Sequence, residues 1–361
     1  MGSRKLGRQG RAALRGTSLL AGGLVVALTL AACTGGGSQS TSGGSTATAA
    51  ASGSGTKASG SGPVSIYVVG GESSDPFWSV VKRGAQDAGK VVEADGGSVH
   101  WLGPQNYDNL GPDAAKLLQT AQSAGASAII GPDWVPAAED AAFEQITSAG
   151  IPLIMYNSGG LTEATKVGAL NYVGSDDSLA GKTAGQYLVQ HGVKDVLCVN
   201  TLPGAANSEA RCGGIKQGEA TGGGTMTELP LPSSNFGNPT AVAQAIKAAL
   251  LQNSSIDGVV TIATADADSA ASALSQAGLT GKVQLATFDL DSTQLSRIQA
   301  GTEMLAIDQQ PYLQGYLAVS MAFQYVKYGL RMPQQPLLTG PSLITKSNVA
   351  QAIAGAAAGA R

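Results

Sequence analysis

The stretch PVSIYVVGGESSDPFWSVVKRGAQDAGKVVEADGGSVHWL, residues 63–102, contains two apolar runs separated by a helical pattern. The runs Ser65–Val69 and Ser98–Leu102 are rich in β-branched and aromatic residues, which predicts strands. Between them, Pro76–Val92 predicts a helix, since proline is favoured at a first helical position. The stretch therefore predicts a strand, a helix and a second strand, with Phe77 and Trp78 at the start of the helix.

These two adjacent rings need an explanation, because only 5% of the chain is aromatic. Side chains one position apart on a helix point about 100° away from each other, so both rings cannot face one core. One interpretation is that they are core residues at a helix start. The interpretation we favour is that at least one ring stacks on the flat face of a ligand.

The same alternation of strand and helix continues to the end of the chain. Ten apolar runs predict strands: Ser65–Val69, Ser98–Leu102, Ala128–Ile130, Ile151–Tyr156, Tyr172–Val173, Asp195–Asn200, Thr225–Pro230, Gly258–Ile262, Gln284–Phe288 and Met304–Ile307. Helical patterns separate them and end at glycines such as Gly125, Gly150, Gly192 and Gly278. Alternating strands and helices predict an α/β fold with parallel sheets, and ten strands predict two doubly wound, Rossmann-like domains.

The first 62 residues differ in composition from the rest of the chain. Five basic residues and no acid precede the apolar run Leu19–Leu30, as in a secretory signal peptide over residues 1–32. The segment Leu30-Ala31-Ala32-Cys33 resembles a bacterial lipobox, which implies lipidation of Cys33, although an ordinary signal peptide is the alternative. Residues 33–62 are rich in Gly, Ser, Thr and Ala, which predicts a flexible tether.

Charge and cysteine content exclude several classes of function. Without residues 1–32 the chain has 17 basic and 25 acidic residues, a net charge of −8, which argues against a nucleic-acid partner. No later run is long and apolar enough to span a bilayer. Cys198 and Cys212 predict a disulfide in an exported protein, with two buried thiols as the alternative. We expect no metal and no cofactor, because both histidines lie far from these cysteines in sequence.

Candidate binding residues come directly after the predicted strands. Ligands of open parallel sheets bind beyond the carboxyl ends of the strands. The residues found there are rings or planar hydrogen-bonding groups: Asp75, Phe77, Trp78, Asn157, Ser158, Asn207, Arg211, Phe236, Thr264, Asp266, Asp289 and Gln309. Carboxylates, amides and a guanidinium suit hydroxyl groups, and rings suit a C–H face. This combination predicts a small sugar or polyol as the ligand.

At these residues the chain resembles type I periplasmic binding proteins, in the ribose and simple-sugar branch of transport lipoproteins. DPFW resembles the NPFF motif of that branch, whose two rings sandwich the sugar. GSDDSLAGKTAGQYL (174–188) resembles its crossover segment, and LPGAANSEARCGG (202–214) its ligand-gripping arginine loop. ATFDLD and AIDQQPYLQG resemble its GFD element and its hinge. Five motifs in the family's order make the resemblance specific over about residues 64–346.

The resemblance implies roles for particular residues. It assigns Asp75, Phe77 and Trp78 to the first domain's share of the site. In the second domain it assigns Arg211, Phe236, Asp289 and Gln309. The family often has Asp and Arg where this chain has Asn157 and Ser158, so two charges are replaced by neutral groups. Thr264 and Asp266 are alternative candidates for one further element whose register is open.

Each of these residues also has an ordinary structural interpretation. Asp289 can cap the helix predicted at Ser292–Gln299. Arg211 can pair with Glu209 or Glu219 on the surface, and Asn157-Ser158 can belong to a turn. Only the order of the motifs raises the binding interpretation above these alternatives.

The resemblance implies a lipid-anchored solute-binding protein on the outer face of the cell membrane, a monomer that delivers its ligand to an ABC importer permease. Residues 63–174 with 310–337 would form one lobe, and residues 175–309 with 338–361 the other. A hinge of three segments would join them, near Gly174, Gln309–Pro311 and Pro336–Leu338. Two alternatives stay open: a sensory protein that presents a sugar-like signal to a receptor, and a secreted glycoside-processing enzyme that uses two carboxylates.

Overall fold

The computed structural model describes residues 62–331 and 334–361. The predicted signal peptide, Cys33 and almost all of the tether lie outside these residues. Within the described ranges, none of the helices combines the length and the apolar character that crossing a membrane requires.

The described chain contains twelve strands and eleven α-helices. The strands are β1 Ser65–Val69, β2 Ser98–Leu102, β3 Ala128–Gly131, β4 Leu153–Tyr156, β5 Tyr172–Ser175, β6 Asp195–Asn200, β7 Thr225–Pro230, β8 Gly258–Thr261, β9 Gln284–Phe288, β10 Leu305–Asp308, β11 Leu337–Gly340 and β12 Ser342–Thr345. The helices are α1 Pro76–Ala94, α2 Leu110–Ser123, α3 Pro136–Ser148, α4 Gly160–Lys166, α5 Asp177–Gln190, α6 Ala206–Ala220, α7 Pro239–Gln252, α8 Thr264–Ala277, α9 Ser292–Ala300, α10 Pro311–Tyr328 and α11 Val349–Ala357.

The strands form two six-stranded sheets, which define two lobes. The order in the first sheet is β11-β5-β4-β3-β1-β2, with every pair parallel. The order in the second is β12-β10-β9-β8-β6-β7, and only β12 runs antiparallel to its neighbour. Helices cover both faces of each sheet, so the predicted α/β class with two doubly wound domains is confirmed.

Most central strands are buried along their whole length, as expected for a parallel sheet with helices on both faces. All four residues of β3, β4, β8 and β10 are buried. Separate apolar cores lie on the two faces of each sheet. Because the sheets are rigid and covered, the loops at their strand ends are held in fixed positions.

The chain passes between the lobes three times, and the three segments meet at one place. Near Gly340, an added Cβ would lie 3.0 Å from the Asp308 carbonyl oxygen and 3.2 Å from the Ser175 hydroxyl oxygen. Gln310, which follows the second crossing, has a left-handed backbone with φ of 53°. Such a convergence of chain segments is the arrangement found in hinges between domains.

The third crossing lies later than the sequence pattern predicted. The segment predicted to cross near Pro336–Leu338 instead runs into β11, which pairs with β5 in the first lobe. The crossing falls at Pro341, just before β12 joins the second sheet. The predicted lobe boundary between residues 337 and 338 therefore lies inside a strand, because short runs beside prolines carry little strand signal.

Candidate functional site

A cavity of about 610 Å³, part of it open to solvent, lies between the carboxyl ends of the two sheets. Ten of the residues predicted from the sequence line it: Asp75, Phe77, Trp78, Asn157, Asn207, Arg211, Phe236, Thr264, Asp289 and Gln309. They come from separate loops in both lobes, and the strand ends bring them to one place. The cavity is therefore the candidate binding site.

Two predicted residues do not line the cavity. Ser158 is fully buried, and its hydroxyl donates to the backbone carbonyl of Asp133 at 2.8 Å. Asp266 lies inside the first turn of α8, where its carboxylate accepts a 2.6 Å hydrogen bond from Thr201. Thr264, the alternative candidate for the same element, does line the cavity. Because the helix begins at Thr264, Asp266 lies in its first turn and does not face the cavity.

Asp75 fixes the start of α1 and faces the cavity. Its Oδ1 accepts hydrogen bonds from the backbone N–H groups of Phe77 at 2.9 Å and Trp78 at 3.2 Å. Its Oδ2 accepts one from the Tyr107 hydroxyl at 3.2 Å. Burial raises the pKa of Asp75, and the hydrogen bonds from the helix start partly oppose this. Asp75 is thus a helix cap that also holds the two rings in place.

The two adjacent rings of α1 have different surroundings. Trp78 is only 6% exposed and packs edge to face against Trp134 and Tyr156, with ring centroids 5.5 and 5.9 Å away. Phe77 is half-buried and meets Trp78 edge on at 5.2 Å. Both rings still line the cavity, so Trp78 is at once a core residue and a residue that can stack on a ligand.

Two amide side chains present unsatisfied oxygens at the cavity. Asn157 is 2% exposed, and its amide nitrogen donates to Gln314 at 3.2 Å. Gln309 is 1% exposed, and its amide nitrogen donates to Asp289 at 2.6 Å. The side-chain oxygens of both residues are buried without a hydrogen-bond partner. Buried acceptors of this kind are costly unless a donor reaches them, and a ligand hydroxyl is such a donor.

Arg211 is the cationic side chain that lines the cavity. Its Nε donates to Asp177 at 2.8 Å and its Nη1 to the Ile262 carbonyl at 2.9 Å. The guanidinium carbon lies 4.7 Å from the centre of the Phe288 ring. Its other N–H groups have no hydrogen-bond partner among the described residues, which leaves them for a ligand. The surface pairing with Glu209 or Glu219 is not found: Arg211 is only 4% exposed and pairs with Asp177 instead.

Asp289 completes the polar side of the second lobe. It follows β9 with a left-handed backbone, φ 65°, and it is 8% exposed. Burial raises the pKa of Asp289 to about 7, although Arg211 and the hydrogen bond from Gln309 both lower it. Burial likewise raises the pKa of Asp177 to about 6 against the effect of Arg211. The cap of α9 is Asp291, so the capping role considered for Asp289 belongs to its neighbour.

The two lobes touch each other at the cavity mouth. The rings of Tyr107 and Phe236 meet edge to face with centroids 4.9 Å apart. The backbone N–H of Ala206, the first residue of α6, donates to the Trp134 carbonyl at 2.7 Å. Leu202 of the second lobe also packs against the first lobe's core. The structure therefore describes the closed arrangement of the lobes.

A disulfide joins Cys198 and Cys212 beside the site. It connects β6 to α6, the helix that carries Arg211, and both cysteines are buried. The bond is thus placed to hold the α6 start, with Asn207 and Arg211, against the second sheet.

Sequence reasoning missed several cavity residues. Tyr107, Leu110, Leu202, Ser208 and Ile262 all line the cavity. Tyr107 lies in the loop between β2 and α2, beyond the positions that directly follow a strand. Trp134 also lines the cavity and lies three residues after the end of β3, and that position was the available signal.

The fold and the cavity define a two-lobed binding protein that encloses a small polar ligand between its lobes. The family model described as periplasmic binding protein domain matches residues 66–330, and the chain belongs to that family. A carbohydrate transporter from Acidothermus cellulolyticus 11B, solved in complex with myo-inositol, is 32% identical, with a TM-score of 0.74 over 82% of this chain and 99% of that chain.

Two further proteins are similar to this chain. The xylose/arabinose-binding protein of Sulfolobus acidocaldarius is 25% identical over 291 residues, which cover 77% of this chain and 70% of that protein. A glucose-galactose binding protein from Geobacillus stearothermophilus shares the fold, with a TM-score of 0.69, 22% identity and coverage of 79% of this chain and 98% of that chain.

Proposed function

We propose that the protein captures a small neutral sugar or polyol between its two lobes and delivers it to the permease of an ABC importer. The observation that carries this proposal is the pair of buried amide oxygens, on Asn157 and Gln309, that lack donors at a cavity also lined by Arg211. A polyhydroxylated ligand supplies donors to the amides and acceptors to the guanidinium at once. The similar transporter bound to myo-inositol supports this class of ligand.

The two sides of a sugar ring match two kinds of surface in the cavity. Phe77, Trp78 and Phe236 offer ring surfaces for its C–H faces. Asn157, Arg211, Asp289 and Gln309 offer hydrogen bonds for its hydroxyl groups. We add Asn207 and Asp75 to these hydrogen-bonding residues, because both line the cavity.

Capture depends on the hinge. The ligand bridges groups of both lobes, so the closed form gains contacts that the open form lacks, and binding shifts the population toward closure. The permease would then recognise the closed form. We assign the protein to the outer face of the membrane as a monomer, held through lipid on Cys33 and the tether of residues 33–62.

The ligand class is tested by a thermal-shift screen of the purified protein against pentoses, hexoses, deoxysugars, inositols and other polyols. A ligand at 100 times its Kd is expected to stabilise the fold by about 2.7 kcal/mol. Phe236→Ala should lose most of that shift, whereas Tyr328→Ala should retain it, because Tyr328 lies exposed at the end of α10. The absence of a shift with every sugar and polyol would refute the proposed ligand class.

Delivery and chemistry need separate measurements. Uptake of the identified ligand into vesicles that carry the permease should require the protein, whereas a receptor response without uptake would support sensing. Ligand recovered after long incubation with equimolar protein should be chemically unchanged. A cleaved or rearranged product would instead support the enzyme alternative.

A further inference from the structure

An acidic cluster lies in the first lobe, outside the cavity. It consists of Asp133, which follows β3, Asp140 on α3 and Glu163 on α4. One carboxylate oxygen from each of the three lies within 4.8 Å of the other two. Ca²⁺ binds oxygens at about 2.3–2.6 Å, so ligands on opposite sides of one ion are about 5 Å apart. The three oxygens are therefore close enough to share a single ion.

Asp133 gives a second, independent indication of a binding site. The side chain is fully buried, and neither of its carboxylate oxygens has a hydrogen-bond partner. Its backbone, by contrast, is bonded to Ser158 in both directions, at 3.3 Å through its N–H and 2.8 Å through its carbonyl. A buried carboxylate without a donor or a cation is strongly destabilising. Such a residue in a fixed position needs a proton or a positive ion.

The protein's own positive charge is insufficient for this cluster. Lys166 bridges Asp140 and Glu163 at 2.7 and 2.8 Å but makes no ion pair with Asp133. The buried Glu139 adds a fourth carboxyl group, with Oε1 bonded to the Val135 N–H and Oε2 unpartnered. Oδ1 of Asp140 is also buried and unpartnered. Four carboxyl groups thus face one ammonium group.

The surroundings of Asp133 and Glu139 raise the pKa values of both carboxyl groups. Burial raises the pKa of Asp133 to about 7, and the charges of Asp140 and Glu163 raise it further against the effect of Lys166. Burial also raises the pKa of Glu139 well above its ordinary value.

We propose that Asp133, Asp140 and Glu163 bind one hard divalent cation, Ca²⁺ in preference to Mg²⁺. The cluster offers only oxygen ligands, whereas zinc sites in proteins are built mainly from nitrogen and sulfur ligands. Irregular carboxylate geometry from three separate elements suits the flexible coordination of Ca²⁺ better than the strict octahedron of Mg²⁺. Asp140 and Glu163 are partly exposed, so the ion can enter from solvent as Lys166, half exposed, swings away.

The ion would fasten the two loops that carry the first lobe's binding groups. The β3–α3 loop carries Trp134 directly after Asp133, and the β4–α4 loop carries Asn157 beside Ser158. Gly159 lets these loops approach, because a Cβ there would lie 2.9 Å from the Asp133 Cβ. A cation behind the cavity would therefore hold Trp134 and Asn157 in place without touching the organic ligand.

Terbium luminescence tests the site in the full chain, since Tb³⁺ replaces Ca²⁺ and Trp134 lies beside Asp133 to sensitise it. We expect excitation of tryptophan to give Tb³⁺ emission that saturates at one equivalent and falls when Ca²⁺ is added. Asp133→Asn should abolish the saturable emission. Asp113→Asn should retain it, because Asp113 is a partly exposed residue that pairs with Lys116 on α2, away from the cluster. Emission equal in both variants, or no saturable emission at all, would overturn the proposal.

Stability provides a second measurement that does not depend on luminescence. After chelation, Asp133→Asn should be at least as stable as the unmodified protein, because it removes a buried charge. Ca²⁺ at 100 times its Kd should lower the unfolding equilibrium constant of the unmodified protein about a hundredfold. The Asn variant should not respond to Ca²⁺. An unmodified protein that is equally stable with Ca²⁺ and with chelator would contradict the cation and indicate a protonated carboxyl group.

Discussion

Replacement of Arg211 should damage folding and binding by separable routes. The Arg211–Asp177 pair is almost fully buried, with a 2.8 Å contact, so Arg211→Met leaves Asp177 without its cation. Breaking a buried pair by removing one partner costs about 3–5 kcal/mol. The Ile262 carbonyl loses its donor as well, which adds about 1–3 kcal/mol if no water replaces it.

The loss should depend on pH in a defined direction. Burial raises the pKa of Asp177 to about 6 even with Arg211 present, and removing the guanidinium raises that pKa further. Protonation then neutralises the orphaned carboxyl group at low pH, so the destabilisation should be smaller at about pH 5 than at about pH 8. Adding Asp177→Asn to Arg211→Met should restore most of the lost stability at pH 8, because no unpaired charge remains.

Urea unfolding without ligand, at both pH values, measures these effects. Arg83→Met is the matched control, since Arg83 is half exposed and its pair with Asp87 spans 4.0 Å, which predicts a loss below about 1 kcal/mol. The double variant should fold yet bind no sugar, because the guanidinium is gone. A loss below about 1 kcal/mol in Arg211→Met at pH 8, or no recovery in the double variant, would refute the reasoning.

Three further changes have predictable results. Replacing Cys198 and Cys212 by alanine should lower the unfolding free energy by about 3 kcal/mol in urea titrations, and two free thiols in denatured, unreduced protein would contradict the bond. Burial raises the pKa of Asp289 to about 7, so ligand-free stability should fall from about pH 4 to pH 7, and Asp289→Asn should flatten this slope in thermal melts. Gly181→Ala should lower Tm, because its Cβ would collide with the Arg211 carbonyl oxygen of α6, whereas Gly213→Ala, with open space around its Cβ, should leave Tm unchanged or raise it.

Strand and helix periodicity was sufficient to predict most of the fold. Strands such as Asp195–Asn200 and Gln284–Phe288 have the bounds that their apolar runs indicate. The missed elements are short or atypical: β11 and β12 lie next to prolines, and α4 and α11 have only seven and nine residues. The two strands form because neighbouring strands already offer an open edge, and local sequence contains little of that information.

Site residues could be predicted where the end of a strand places them at the cavity. They could not be predicted where the direction of the side chain decides whether it reaches the cavity. Gln309 follows from the strand-end rule and Arg211 from the resemblance of its loop to the family's arginine loop, whereas Tyr107 reaches the cavity from a loop that neither argument covered. Ser158 follows a strand end as well, but its hydroxyl points to the Asp133 carbonyl instead. A one-residue difference at a turn sends a side chain to another face, and sequence patterns do not resolve it.

This chain has Asn157 and Ser158 where the family it resembles often has a charged pair. As a result, the two lobes offer unequal numbers of charged groups to the ligand. Arg211 and Asp289, the charged pair of the cavity's polar side, both belong to the second lobe, and Gln309 lies at the hinge. The first lobe contributes the rings of Phe77 and Trp78, the neutral amide of Asn157 and the carboxyl group of Asp75, which is already engaged in capping α1. Charged hydrogen bonds are stronger than neutral ones. The second lobe should therefore hold the ligand in the open form, and the first lobe should close its rings over it.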